Sequence, residues 1–162
     1  MGLDMFLMKM PRTDDVNSVP HEDQKEVGYW RKANHIHKWF VDNVQDGIDD
    51  CDFHNEVTPD HLRNLRTVCG KVIKASELVN GKVENGQKRI GGQWVPIIEN
   101  GKVIKDPTTA KELLPTTDGF FFGGTDYDEY YIDQIYETLN IISDALVETD
   151  FENEMLYYCS SW

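Results

Sequence analysis

After Lys111 the sequence contains no lysine and no arginine. Residues 112 to 162 hold twelve of the 29 acidic side chains, while the first 111 residues balance 17 acids against all 16 bases. Almost the whole formal charge of −13 therefore lies in the last third of the chain. A surface of that sign repels the phosphates of free nucleic acid and the headgroups of anionic membranes, and it suits a basic protein surface or a cation. Long apolar runs are also missing; none approaches the ~18 to 20 residues that cross a bilayer. The opening MGLDMFLMKM has an acid at Asp4, no basic start and no small-residue cleavage site, so no signal peptide is expected. Cysteine is scarce. Cys51, Cys69 and Cys159 make an odd number without a C-x-x-C pair, which implies three reduced thiols and a cytoplasmic protein. Phosphate-loop and nucleophile-elbow motifs are absent, and no two histidines stand at the i, i+4 spacing of a helical zinc pair. No catalytic residue, metal ligand or cofactor is assigned.

What is present suits one domain spanning 1–162. Hydrophobic residues make up 40% and charged residues 28%, enough of each for a packed core under a polar surface. Residues 3 to 9 alternate as a strand does. Residues 11–25, with Pro11 and Pro20, form a polar loop. From about Glu26 to Val44 the spacing predicts a helix, with Tyr29, Ala33, Ile36, Phe40 and Val44 on one side. Residues 52 to 57 suggest a short strand. Thr58-Pro59 reads as the cap and first residue of a second helix, whose stripe is Leu62, Leu65, Cys69, Val72 and Ile73.

The segment 76–106 contains a hairpin, with a tight turn expected at Asn100-Gly101. The tetrapeptide Asn-Gly-Lys-Val occurs there twice, at 80 and at 100. Residues 108 to 114 allow one or two helical turns. Residues 119 to 124, GFFFGG, read as a short buried strand. Thr125 is expected to cap a third helix, to about Val147, with Tyr131, Ile135, Leu139, Ile142 and Leu146 inward. Residues 155 to 160 suggest a final strand. The order implies an α+β fold, a mostly antiparallel sheet packed by about three helices.

Two histidines, His35 and His37, flank Ile36. They stand about 200° apart around a helix axis and cannot share one metal ion. His37 is expected to be partly buried and hydrogen-bonded, and His35 to be solvated. His54 and His61 stand near the acids of 46 to 56. The stretch 42 to 53 looks like a calcium loop but puts Val44 and Phe53 at two ligand positions.

The third helix has a second side. Asp126, Glu129, Asp133, Glu137, Asp144 and Glu148 fall within an arc of about 100° opposite Ile135 and Ile142. No base stands four residues on to relieve them, and neighbouring acids at i, i+4 cost about 0.2 to 0.5 kcal/mol per pair. Two readings stay open: a solubilising side that pairs with Arg63, Arg66, Lys71 or Lys74 of the same chain, and a docking side for a basic partner. Trp39, off the apolar stripe, is a second candidate for that interface. A pocket near Tyr29, Trp30, Arg31 and Asn34, against Phe121 to Asp126 and including Thr125, would suit a nucleotide or another small molecule.

Three stretches, MGLDMFL at 1 to 7, VGYWRKANHIHKWFVDNVQDG at 27 to 47 and LPTTDGFFFGGTDYDEYY at 114 to 131, together with the closing SSW, resemble an uncharacterised family of small phage and prophage proteins. The resemblance spans most of the chain apart from 11–25 and the hairpin. It implies a phage origin and a place in the host cytoplasm, and carries over no active-site residue. The function expected is that of an accessory protein that binds a host protein with a basic surface, such as a nucleic-acid-handling or defence factor. The alternatives are a small-molecule binder or hydrolase, and a structural or oligomeric component.

Overall fold

The computed structural model describes residues 2–53 and 55–162. The first strand, β1 (Asp4–Pro11), is the centre of an antiparallel three-stranded sheet, flanked by β2 (Lys25–Arg31) and by the last strand of the chain. Between β1 and β2 the polar stretch makes two short 3-10 turns, Val16–Ser18 and His21–Asp23. It covers one face of the sheet, where Val16 and Val19 pack with Met8, Met10, Met155 and Tyr157. The other face carries Leu3, Met5, Leu7, Trp30, Leu156 and Tyr158 into the main core.

The helix expected from Glu26 is a strand up to Arg31. In β2, Gly28 and Trp30 are buried while Tyr29 and Arg31 are exposed, the two-residue alternation of a half-buried strand. Lys32, with φ of 58°, turns the chain into α1 (Asn34–Asn43). The same apolar residues satisfy either period over so short a stretch, and pairing with β1 decides the outcome. Helix α1 is buried nearly all round, and the Phe40 ring stacks on Tyr158 at 4.2 Å. Trp39 is 6% exposed and edge-on to Phe40, so it belongs to the core and not to an interface.

Helix α2 (Pro59–Ala75) begins as expected, with Thr58 Oγ1 accepting from the N–H of His61 at 3.2 Å. Just before it, where a strand was expected over 52 to 57, the described residues make a bridge, Glu56 to Tyr157.

The hairpin turns elsewhere than expected. β3 (Leu78–Ile90) and β4 (Gln93–Ile104) are joined at Gly91-Gly92, both with positive φ, as a tight two-residue turn demands. Asn100-Gly101 lies inside β4, where Gly101 pairs with Gly81. The two tetrapeptides thus face each other in antiparallel register. A Cβ on Gly101 would come within 2.6 Å of both Val83 Cγ2 and Glu129 Oε1, so the valines fill the space that the paired glycines leave. This ribbon is a separate two-stranded sheet.

After α3 (Thr108–Leu113) comes an irregular segment and then α4 (Glu129–Glu148). GFFFGG is not a strand: Phe122 is buried, but Phe120 and Phe121 are exposed and Phe121 has φ of 64°. Thr125 does not cap α4. Asp128 does, accepting from the N–H of Tyr131 at 3.0 Å, which moves the helix start three residues on. Helix α4 packs on α2 and on β2, approaching the sheet where Gly28 has no side chain. Lys9 of β1 donates to the Glu148 carbonyl and pairs with Glu154, both at 3.1 Å, so a cation sits at the negative end of the helix dipole. β5 (Glu154–Ser161) completes the sheet beside β1. The result is an α+β architecture with antiparallel strands throughout. Among the described residues no helix is long and apolar enough to cross a membrane.

Candidate functional site

The exposed side of α4 presents Asp133, Glu137, Asp144 and Glu148, with Tyr136 and Val147 between them. Among the described residues, no cation pairs with Asp133, Glu137 or Asp144, and none of the three accepts a side-chain hydrogen bond. Internal neutralisation by α2 is not what happens; Arg63 pairs with Asp60 on its own helix at 2.8 Å. The row is shorter than its sequence suggested. Asp126 precedes the helix, and Glu129 is engaged by the hairpin, accepting from the N–H of Lys102 at 3.0 Å.

A cleft of about 740 Å³ opens beside the first turn of α4. Arg31, Lys32 and His35 form one wall and the segment 118–124 another. Residues 84 to 87 of the hairpin close a third side, and Tyr130, Tyr131 and Gln134 supply the helix wall. The loop is hung on Asn34, which is buried. Its Nδ2 donates to the carbonyls of Phe122 (3.2 Å) and Gly124 (2.8 Å), and its Oδ1 accepts from the N–H of Thr117 at 3.1 Å. Leu3 links the two walls: its N–H donates to Phe121 O at 3.3 Å and its carbonyl accepts from Lys32 N–H at 2.7 Å. Lys32 and Phe121, the residues so linked, are two of the three non-glycine residues with positive φ among those described. Strained backbone of this kind costs of order 1–3 kcal/mol and concentrates at ligand clamps.

Of the pocket residues expected from the sequence, Arg31, Phe121, Phe122, Gly123, Gly124 and Asp126 line this cleft. Tyr29 does not; its hydroxyl donates to Asp4 on the neighbouring strand. Trp30 is fully buried, with its indole N–H on Thr138. Asn34 is a support and not a wall, and Thr125 lies outside the lining.

The two histidines divide differently from expectation. His37 is buried and bonded as read, with Nδ1 at 2.7 Å from the Tyr158 hydroxyl and Nε2 at 2.9 Å from Asp49. Burial lowers its pKa, against the raising influence of Asp49. His35 is not solvated. It is 2% exposed and tilted against Tyr131, with ring centroids 4.3 Å apart. Its Nε2 has no hydrogen-bond partner among the described residues, and burial pushes its pKa down to about 3. Its importance was hidden because a helical wheel gives each helix a wet side. The available signal was composition: residues 34 to 41 carry a single formal charge, Lys38, as a helix buried on all sides would.

Among the described residues no three or more His, Cys, Asp or Glu side chains are grouped to hold a metal ion. In the calcium-like stretch, Asp46 instead accepts from Asn55 at 3.1 Å and Asp50 from the N–H of Asp52 at 2.9 Å. His61 serves the α2 cap, with Nδ1 accepting from the N–H of Thr58 at 3.2 Å, and His54 lies outside the described residues. No protein-family model, curated protein or solved structure matches the chain.

Proposed function

We propose that the protein works by binding, docking the exposed side of α4 against a basic surface of another protein. One observation carries this reading: Asp133, Glu137 and Asp144 stand exposed on a single helix, and among the described residues no cation pairs with them. Like-charge neighbours at i, i+4 cost stability, and a basic partner would turn that cost into attraction. The flanking Tyr136 and Val147, 51% and 83% exposed, supply contact area of the kind that charge alone does not give.

The partner that fits is a protein whose own ligand is polyanionic. Carboxylates four residues apart on a helix are spaced by about 6 Å, close to the step between backbone phosphates. A nucleic-acid-handling or defence factor has such a groove. The resemblance to small phage proteins supports a host protein in that role, met in the host cytoplasm. Affinity capture from host lysate, followed by binding of the captured protein to the purified chain, tests the reading. The triple variant Asp133→Lys, Glu137→Lys, Asp144→Lys should lose the interaction while keeping its circular dichroism. Equal affinity of variant and parent would remove the proposal.

A further inference from the structure

The cleft beside α4 is a second site, distinct in place and chemistry from the acidic side of the helix. We infer that it binds a planar, uncharged heterocycle of the nucleobase or nucleoside class, held by His35 and by the aromatic side chains at its rim. The volume, about 740 Å³, lies within the ~300–1,000 Å³ of small-molecule sites. A buried imidazole nitrogen without a partner is rare, because an unmade hydrogen bond in the interior carries a desolvation penalty that a ligand atom would repay. His35 is neutral near pH 7, so its Nε2 offers one hydrogen bond, as donor or as acceptor according to the tautomer, and the edge of a base carries both kinds of partner.

The rim is aromatic. Phe120 and Phe121 sit in tilted contact at 4.2 Å between ring centres, both exposed, with the exposed Tyr130 ring also lining the cleft. Stacking on such rings is indifferent to base identity. The charge around the cleft argues against a phosphorylated ligand. Arg31 and Lys32 are outnumbered by Glu84, Asp118, Asp126 and Asp128, and Arg31 already faces Asp4 at 3.7 Å. The free base or nucleoside fits this balance better than a nucleotide does. The two left-handed residues on opposite walls, Lys32 and Phe121, keep the opening in a shape that an unstrained chain would relax.

The test uses the full chain with ¹⁵N-labelled histidine. Adenosine, guanosine, cytidine and uridine are titrated separately, followed by their 5′-monophosphates, and the His35 ring nitrogens are observed by long-range ¹H–¹⁵N correlation. At least one nucleoside should shift the His35 ring signals saturably while leaving His37 in place, and its monophosphate should bind more weakly. Phe120→Ala, at an exposed position that does not support the core, should weaken binding about tenfold or more through the lost stack. His35→Phe should abolish it. Should that variant fail to fold, Phe120→Ala still decides the matter. The triple lysine variant of α4 should bind the nucleoside as the parent does, which separates this site from the docking surface. Silence of the His35 signals toward all four nucleosides would overturn the inference. Tighter binding of the monophosphate, or affinity unchanged by Phe120→Ala, would overturn it as well.

Discussion

The indole N–H of Trp30 donates to the hydroxyl of Thr138 at 2.9 Å across the packing of β2 on α4, and both residues are fully buried. The hydroxyl in turn donates to the Gln134 carbonyl at 2.7 Å, so a sheet residue is tied to the helix backbone through one oxygen. Thr138→Val keeps the shape and strands the indole donor. We expect a loss of about 1–3 kcal/mol, which for a chain of this size lowers the melting temperature by several degrees. Thr138→Ser should recover most of it. Urea unfolding of the three proteins measures the difference, and equal midpoints for the valine variant and the parent would deny the bond any weight.

Gly28 sets how closely α4 approaches the sheet. A Cβ there would stand 2.4 Å from Ile141 Cγ2 and 3.3 Å from Leu7 Cβ. Gly28→Ala should therefore destabilise by about 1–3 kcal/mol, the usual cost of overpacking a tight contact. Adding Ile141→Ala removes the Cγ2 methyl that clashes and should return some of the loss. A double-mutant cycle on these two positions reads the coupling directly.

Acid should weaken the fold through His35. Its pKa is about 3 in the fold against 6.5 when free, so between those values the unfolded chain binds the extra proton. The stability that neutral His35 contributes is full above pH 6.5 and is lost as the pH falls toward 3, by about 2 kcal/mol between pH 6.5 and 5. His37 acts in the same direction, with Asp49 opposing. Relief of carboxylate repulsion would push the other way. Denaturant midpoints at the two pH values, compared between the parent and His35→Phe, isolate the effect: the variant should show the shallower dependence.

The unpaired carboxylates of α4 cost stability in the absence of a partner. Asp133 has an acid one turn away on either side, Glu129 and Glu137. Asp133→Asn should raise stability by roughly 0.4 to 1 kcal/mol, two pairs at 0.2–0.5 each, with the gain shrinking as salt rises. Thermal unfolding at low and high ionic strength reads this. A loss of stability would mean that Asp133 has a favourable contact in solution.

The sequence was readable in α2 and along the inward side of α4. Thr58, Pro59 and the Leu62 to Val72 stripe marked α2 correctly, and the Ile135 to Ile142 side of α4 faces the core as its spacing required. Short stretches were not readable. Over Glu26–Arg31 the alternation of Gly28 and Trp30 competes with a helical stripe through Tyr29, and the arbiter is the partner strand β1, remote in sequence. Asn100-Gly101 has the chemistry of a turn, but Gly91-Gly92 supplies two flexible positions and lets both valine-bearing segments pair. The acidic side of α4 was visible in composition alone. The cleft was not, because residues 31 to 35, 84 to 87 and 118 to 131 meet only in the folded chain.

The base of the β3–β4 ribbon is fastened to the start of α4 at two points, the Val103–Asp128 bridge and the Glu129 carboxylate lying over Gly101 onto the Lys102 N–H. Ribbon and helix are therefore held together at both of these points. The ribbon fastened in this way also forms one side of the cleft, so the start of the acidic rod and the mouth of the cleft share one anchor. A side chain at position 101 would displace the Glu129 carboxylate and undo one of the two fastenings, leaving the Val103–Asp128 bridge to hold the ribbon alone.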